Sequence, residues 1–421
     1  MKTELTDVSE TQKTISIEIP SEVVDAEINR VARDYSKQAK IPGFRPGKVP
    51  ANVVKQRFRE QILHDVMHDL IPRAVGTALQ ERGIEPVAEP DIRNVELKEG
   101  RPLTFTAAIE TVPAFDPGSL STLTASRPAT TITDEAVDEA LERLRERGAT
   151  FEPVEGRPIA DGDTVVLDIA RTTADGSTDR HEAVSIELGA AANPPGFDAN
   201  LIGLEAGAEK TFNVHFPEDY PVTEMANSDV AYSVTVKQLR HKALPPLDDE
   251  LARDLKFESL AALRDQVRAD LQDEATDNAT RHVRSEILKQ LAARLQFEPP
   301  ASMVDREIDR RLEEFARQLM QQQVDPRQAG IDWAQFREAQ REAARAAVAS
   351  ALALDEIARR DGIVVSADDV DKEIEKFALR AGRTPAALRA QLEKEGGVGR
   401  LTAGLRREKA LEHALAQASI S

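Results

Sequence analysis

Across residues 14–20 apolar and polar positions alternate, with Ile15, Ile17 and Ile19 on one face and Ser16 and Glu18 on the other, the two-residue period of a half-buried strand. At Ser21 the period changes. Val24, Ile28, Val31 and Tyr35 recur at steps of four, three and four, which predicts a helix capped by Ser21 and ending before Ile41-Pro42-Gly43. Pro50, at a first helical position, opens a further helical stretch carrying Val53, Val54, Phe58, Ile62 and Val66, and another run ends at Gly83. Alternation returns at Leu103, Phe105, Ala107 and Ile109. Strands flanking helices predict a compact α+β domain over residues 1–113.

Residues 114–150 read as a linker, rich in Pro, Ser and Thr up to residue 133 and then holding one short amphipathic helix, 134–147, stopped by Gly148. Over residues 151–243 short β-rich runs at 164–169, 184–188 and 233–239 lie between Asp-Gly, Pro-Pro-Gly and Pro-Glu-Asp turns, which predicts a small antiparallel β domain. Beyond Pro245-Pro246 helical periodicity takes over, broken at Pro299-Pro300, Asp325-Pro326, Gly362 and Pro385, so residues 244–421 read as an all-α array of long helices. The fold class is α+β and multidomain.

Composition sharpens this picture. With 421 residues the chain is long enough for about three domains. Charged residues make up 31% and aromatics only 4%, which favours long helices with thin cores of small side chains. The absence of cysteine excludes a disulfide framework, thiol catalysis and Cys-based metal sites, and fits a reducing compartment. No apolar leader follows Met1, and the most apolar stretch, 343–354, is short and interrupted by Arg345, so a soluble cytoplasmic protein is expected, with no membrane partner.

A net charge of -19 argues against general nucleic-acid binding, DNA included. One stretch departs from it. Between residues 28 and 60, Arg30, Arg33, Lys37, Lys40, Arg45, Lys48, Lys55, Arg57 and Arg59 face only Asp34 and Glu60, an excess of seven positive charges. Screening over ~8 Å at physiological salt lets this block act locally despite the acidic remainder.

Within it, Ile41-Pro42-Gly43-Phe44-Arg45-Pro46-Gly47-Lys48 pins a tight loop with two prolines and two glycines. An aromatic at the tip of a basic loop suits docking, the ring seated in a pocket and the cations on phosphates or carboxylates, although an ordinary turn with a core Phe has the same composition. Gly43-Phe44-Arg45 followed by Gly47-Lys48 on a helix-loop-helix resembles the ribosome-binding signature of the trigger factor family, the ribosome-associated chaperones of bacteria, and the order of domains is similar over essentially the whole chain. The resemblance implies that Gly43, Phe44, Arg45, Pro46, Gly47 and Lys48 dock at the nascent-chain exit of the large ribosomal subunit, on protein and ribosomal RNA. Lys37, Lys40 and Arg57 are secondary candidates. It also implies an ATP-independent chaperone of nascent and unfolded polypeptides, with a part in folding and export; dimerisation of the free protein is left open.

In the β domain, Pro194-Pro195-Gly196-Phe197-Asp198, Leu204-Glu205-Ala206-Gly207 and Phe216-Pro217-Glu218-Asp219-Tyr220 resemble the FK506-binding-protein type of prolyl isomerase. Such chemistry needs no acid, base, nucleophile or cofactor, because an apolar pocket lowers the ~18–20 kcal/mol barrier by favouring the twisted amide. By this resemblance Phe197 is the pocket floor and Tyr220 and Tyr232 are walls, although core aromatics of a small barrel would show the same pattern. The sequence departs from the family where Asp168 is followed by Ile169, where Asp179 and Arg180 replace an aromatic-acidic pair, and at Pro194, which has no N–H to donate to a bound peptide. Weak isomerase activity is the expectation.

The helical array shows no catalytic constellation. Its run Val304, Ile308, Leu312, Phe315 and Leu319, beside Met320, reads as bundle core or as a client-binding surface. His64 and His68, at i and i+4, have the spacing of a zinc helix but lack the usual Glu and a third ligand, so no metal is assigned. The competing readings are a ribosome-independent chaperone, a prolyl isomerase, a free-standing RNA-binding factor, and a periplasmic chaperone-isomerase, which the missing leader disfavours.

Overall fold

The computed structural model describes residues 1–38, 44, 49–173, 177–190, 193–217 and 227–421. Its contacts divide the chain into two compact units, residues 1–128 with 280–421, and residues 129–279.

The first unit opens on an antiparallel sheet of order β1-β2-β4-β3, built from β1 (Lys2–Asp7), β2 (Gln12–Ile19), β3 (Asp91–Glu96) and β4 (Leu103–Glu110). Between β2 and β3 lie α1 (Ser21–Gln38), α2 (Ala51–Arg57) and α3 (Arg59–Arg82). Register sets Ile15 opposite Ala107 and Ile17 opposite Phe105, so the apolar alternations of both central strands fall on one face. Val24, Ile28 and Val31 of α1 and Ile62, Val66 and Leu70 of α3 bury their stripes in the same core. Two details differ from expectation. Ser21 lies inside α1, and the carbonyl of Pro20 accepts from Val23 and Val24. Pro50 occupies the N-cap of α2, and Phe58 separates α2 from α3. Gly83 closes α3 at φ 62, a left-handed conformation that a glycine adopts without strain. A two-residue strand, β5 (Thr124–Ala125), follows.

The second unit begins with α4 (Asp134–Arg147), whose N-cap hydroxyl on Thr133 accepts from the Ala136 N–H. Its antiparallel sheet comprises β6 (Thr150–Val154), β7 (Thr164–Thr172), β8 (Thr178–Glu187), β9 (Glu209–His215) and β10 (Asp229–Ala243), with α5 (Phe197–Leu201) before β9. The order is β6-β10-β7-β8, and β9 also pairs with β10. Val137 and Leu141 of α4 pack on Ala252 of α6 (Asp249–Asp254) and on Leu263 and Val267 of α7 (Leu260–Ala293).

Back in the first unit, the later part of α7 joins α8 (Ala301–Gln321), α9 (Trp333–Arg360), α10 (Ala367–Arg380), α11 (Pro385–Lys394) and α12 (Gly397–Gln417). Val304 and Ile308 bury against Ala344, Val348 and Leu352, and Phe315 stacks on Phe336 at 4.7 Å, so most of this run is the core of a helical hairpin. Met320 remains exposed. The Glu110 carboxylate at the end of β4 accepts from the Ser302 N–H at 2.9 Å, at the start of α8. Finally β11 (Ser419–Ile420) pairs in parallel with β5. The fold class is therefore the one read from the sequence: an α+β head, an antiparallel β module and a helical array.

Candidate functional site: a docking loop and an aromatic cluster

Between α1 and α2 the described residues include one aromatic, Phe44. Phe44 is 41% exposed, unlike the buried Val49 and Val54 that follow it. Leaving part of the ring exposed forgoes roughly 1 kcal/mol of burial. The flanking segments are fixed. Ser36, in the last turn of α1, donates from Oγ to the Val49 carbonyl at 2.6 Å, and the Tyr35 hydroxyl donates to Asp65 of α3 at 2.7 Å. Gly43, Arg45, Pro46, Gly47, Lys48 and Lys40 lie outside the described residues.

The basic block is smaller in space than along the chain. Arg30 pairs with Glu27 at 2.8 Å and with Asp69, Lys37 pairs with Asp34 at 2.9 Å, and Lys55 reaches Glu99 at 3.4 Å. Three of these carboxylates come from outside residues 28–60, where a count along the chain does not see them. Among the described residues, Arg33, Arg57 and Arg59 are exposed and form no salt bridge. His64 and His68 sit with ring centroids 4.9 Å apart, and no group of three metal-ligating side chains converges among the described residues.

In the β module Phe197 starts α5 directly after a tight turn. Gly196 at φ 74, ψ 0 follows Pro195, and the Pro194 carbonyl accepts from the Phe197 N–H at 3.0 Å, the geometry of a type II turn. Asp198 braces the preceding loop by accepting from the Gly189 N–H at 2.9 Å and from Asn193 Nδ2 at 2.8 Å. Phe197 is 1% exposed. Its ring meets Phe212 edge-on at 5.5 Å and Tyr232 at 5.2 Å, and Phe212 and Tyr232 stack at 5.8 Å. The structure thus brings Phe197 and Tyr232 together and adds Phe212, which sequence reasoning missed; the alternation of Phe212, Val214 and Phe216 was the available signal. Tyr220 lies outside the described residues.

The departing positions are held by local bonds. Ile169 pairs with His181 across β7 and β8 and packs on the module core. Asp179 accepts from His181 Nε2 at 3.0 Å and from Arg171 Nε at 3.1 Å, and these bonds lower its pKa, His181 contributing most. Asp168 pairs with Lys237 at 2.8 Å and accepts from the Ala183 N–H at 3.0 Å; both bonds lower its pKa, the Lys237 bond more strongly. Asp163, 3% exposed in its side chain, accepts two bonds from Arg157 at 2.5 and 2.7 Å and one from the Ala160 N–H at 2.9 Å, and its pKa falls to about 2, the Arg157 bond contributing most.

A family model described as bacterial trigger factor protein matches residues 1–144, its C-terminal counterpart matches 259–416, and a model of the FKBP-type peptidyl-prolyl cis-trans isomerase matches 156–237. A trigger factor of Solibacter usitatus is 34% identical over 94% of this chain and 94% of its own, and one of Bacillus subtilis is 34% identical over 86% of this chain and 88% of its own. A solved trigger factor chaperone, described for promiscuous substrate recognition in folding and assembly, covers 99% of both chains with a TM-score of 0.51 at 19% identity, a likeness of fold. The class is thus a ribosome-associated chaperone with an isomerase module between its N- and C-terminal parts. The chain belongs to the trigger factor family. It carries an FKBP-type peptidyl-prolyl isomerase domain, and its family binds ribosomes and nascent chains.

Proposed function

We propose that the chain docks at the nascent-chain exit of the large ribosomal subunit through residues 43–48. Phe44 seats in an apolar pocket of a ribosomal protein, and Arg45 and Lys48 pair with ribosomal RNA phosphates. The observation that carries this reading is the exposed Phe44 between anchored chain segments, in a stretch of sequence whose Arg33 and Arg57 are also exposed. Residues 1–113 act as the docking head, 114–150 as the linker, 151–243 as the isomerase module and 244–421 as the chaperone body, working in the cytoplasm without nucleotide. Sedimentation with purified ribosomes at moderate salt tests the docking: wild type pellets and the Phe44→Ala, Arg45→Ala double variant stays in the supernatant. Equal pelleting of both overturns it. Sedimentation velocity of the free protein decides between monomer and homodimer.

We further propose that the isomerase module turns over weakly, with Phe197, Tyr220 and Tyr232 as its apolar site. Supporting this are the near-complete burial of Phe197, the missing N–H at Pro194 and the engagement of Asp179 by His181 and Arg171. A protease-coupled assay on a Phe-Pro peptide is expected to give turnover close to the uncatalysed rate. Robust turnover abolished by Phe197→Ala overturns it.

A further inference from the structure

The segments on either side of residues 39–48 are joined by contacts that recognise nothing outside the chain. Ser36 Oγ crosses thirteen residues to the Val49 carbonyl, although a helical serine commonly bonds the carbonyl one turn back in its own helix. One residue earlier, the Tyr35 ring lies 5.7 Å from Phe58 at the junction of α2 and α3, and its hydroxyl reaches Asp65. Donation to that carboxylate raises the phenol pKa. Val49 and Val54 are buried beside these bonds in the core of the head.

We propose that Tyr35, Ser36, Val49, Phe58 and Asp65 form a clasp at the base of the docking loop, with Ser36 and Tyr35 as positioning residues for ribosome binding. This rests on the docking reading above. A loop whose ends move independently loses closure entropy when its tip is captured, whereas ends joined in advance have already lost part of it. The clasp therefore raises affinity through Phe44 without touching the ribosome. Tyr35 and Ser36 sit in the last turn of α1, so they tie the helix end to the start of α2 and to α3 together.

The test is a binding titration of full-length protein against purified ribosomes, well below the melting temperature, for wild type, Ser36→Ala, Tyr35→Phe and Ser36→Thr, each with and without Phe44→Ala. Removing one net hydrogen bond is expected to weaken binding about fivefold in the Ser36→Ala and Tyr35→Phe variants, with Ser36→Thr restoring it. In the Phe44→Ala background the same substitutions are expected to change affinity by less than about twofold, because the tip through which the clasp acts is gone. Equal losses in both backgrounds, or no loss in either, overturn the clasp while leaving docking intact. If Phe44→Ala alone leaves affinity unchanged, the docking reading falls and the clasp falls with it.

Discussion

Two aromatic sites, one in each unit, are treated in opposite ways. Phe44 stands 41% exposed between α1 and α2, whereas Phe197 is 1% exposed beneath Phe212 and Tyr232. The first ring leaves a large part of its surface open to a partner. The second is a keystone of its module's core, held in contact with Phe212 and Tyr232. Exposure, more than residue type, separates a recognition side chain from a structural one.

The sharpest way to break this contrast is Phe197→Ala, which should destabilise the module by about 4 kcal/mol in denaturant unfolding while leaving ribosome affinity unchanged. Loss of ribosome binding in that variant would show the two sites to be coupled. Next in size, Phe44→Ala with Arg45→Ala should weaken ribosome binding about a hundredfold, near 3 kcal/mol, and leave the unfolding midpoint within about 0.5 kcal/mol of wild type. A large shift of that midpoint would make Phe44 a core residue.

A smaller effect concerns the frame of the module. The folded pKa of Asp163 is depressed to about 2, so its contribution is present above the unfolded value near 4 and is lost as pH falls through 2. In Arg157→Ala the stability of the module at neutral pH should drop, and the fall in stability between pH 4 and pH 2 should become shallower, read by circular dichroism melts across that range. An unchanged acid profile would place the origin of the low pKa elsewhere. Smallest, Thr133→Ala removes the N-cap of α4 and should cost about 1 kcal/mol in thermal unfolding, with both aromatic sites unaffected.

Legibility in the sequence followed burial. Where one face is buried and the other wet, as with Ile15, Ile17 and Ile19 or with Val24, Ile28 and Val31, the pattern located the element. The helix at 134–147 was legible to its last residue because Thr133 caps it and Gly148 stops it. Edge strands were not legible: β1 carries only Leu5 as an apolar residue, and β3 breaks its alternation at Asn94, which sits at φ 54. The proposed docking segment 41–48 stood out for its cluster of Gly, Pro, Phe and Arg, and the two prolines before Phe197 marked a turn. Hidden were the relations that need three dimensions: Asp69 and Glu99 drawing charge from the basic block, Phe212 completing the aromatic cluster, and Ser36 reaching Val49.

The parallel pairing of Ser419 and Ile420 with Thr124 and Ala125 has a consequence for the order of biosynthesis. Among the described residues, the core of the head draws on residues 5–109, so it can assemble while later segments are still being translated. The core that seats Leu120 and Leu123 includes Ala410, Leu411 and Ala414, and β5 waits for a strand roughly three hundred residues downstream. On this scheme the docking head is finished early, and the body that would shelter other unfinished chains is among the last parts of its own chain to close.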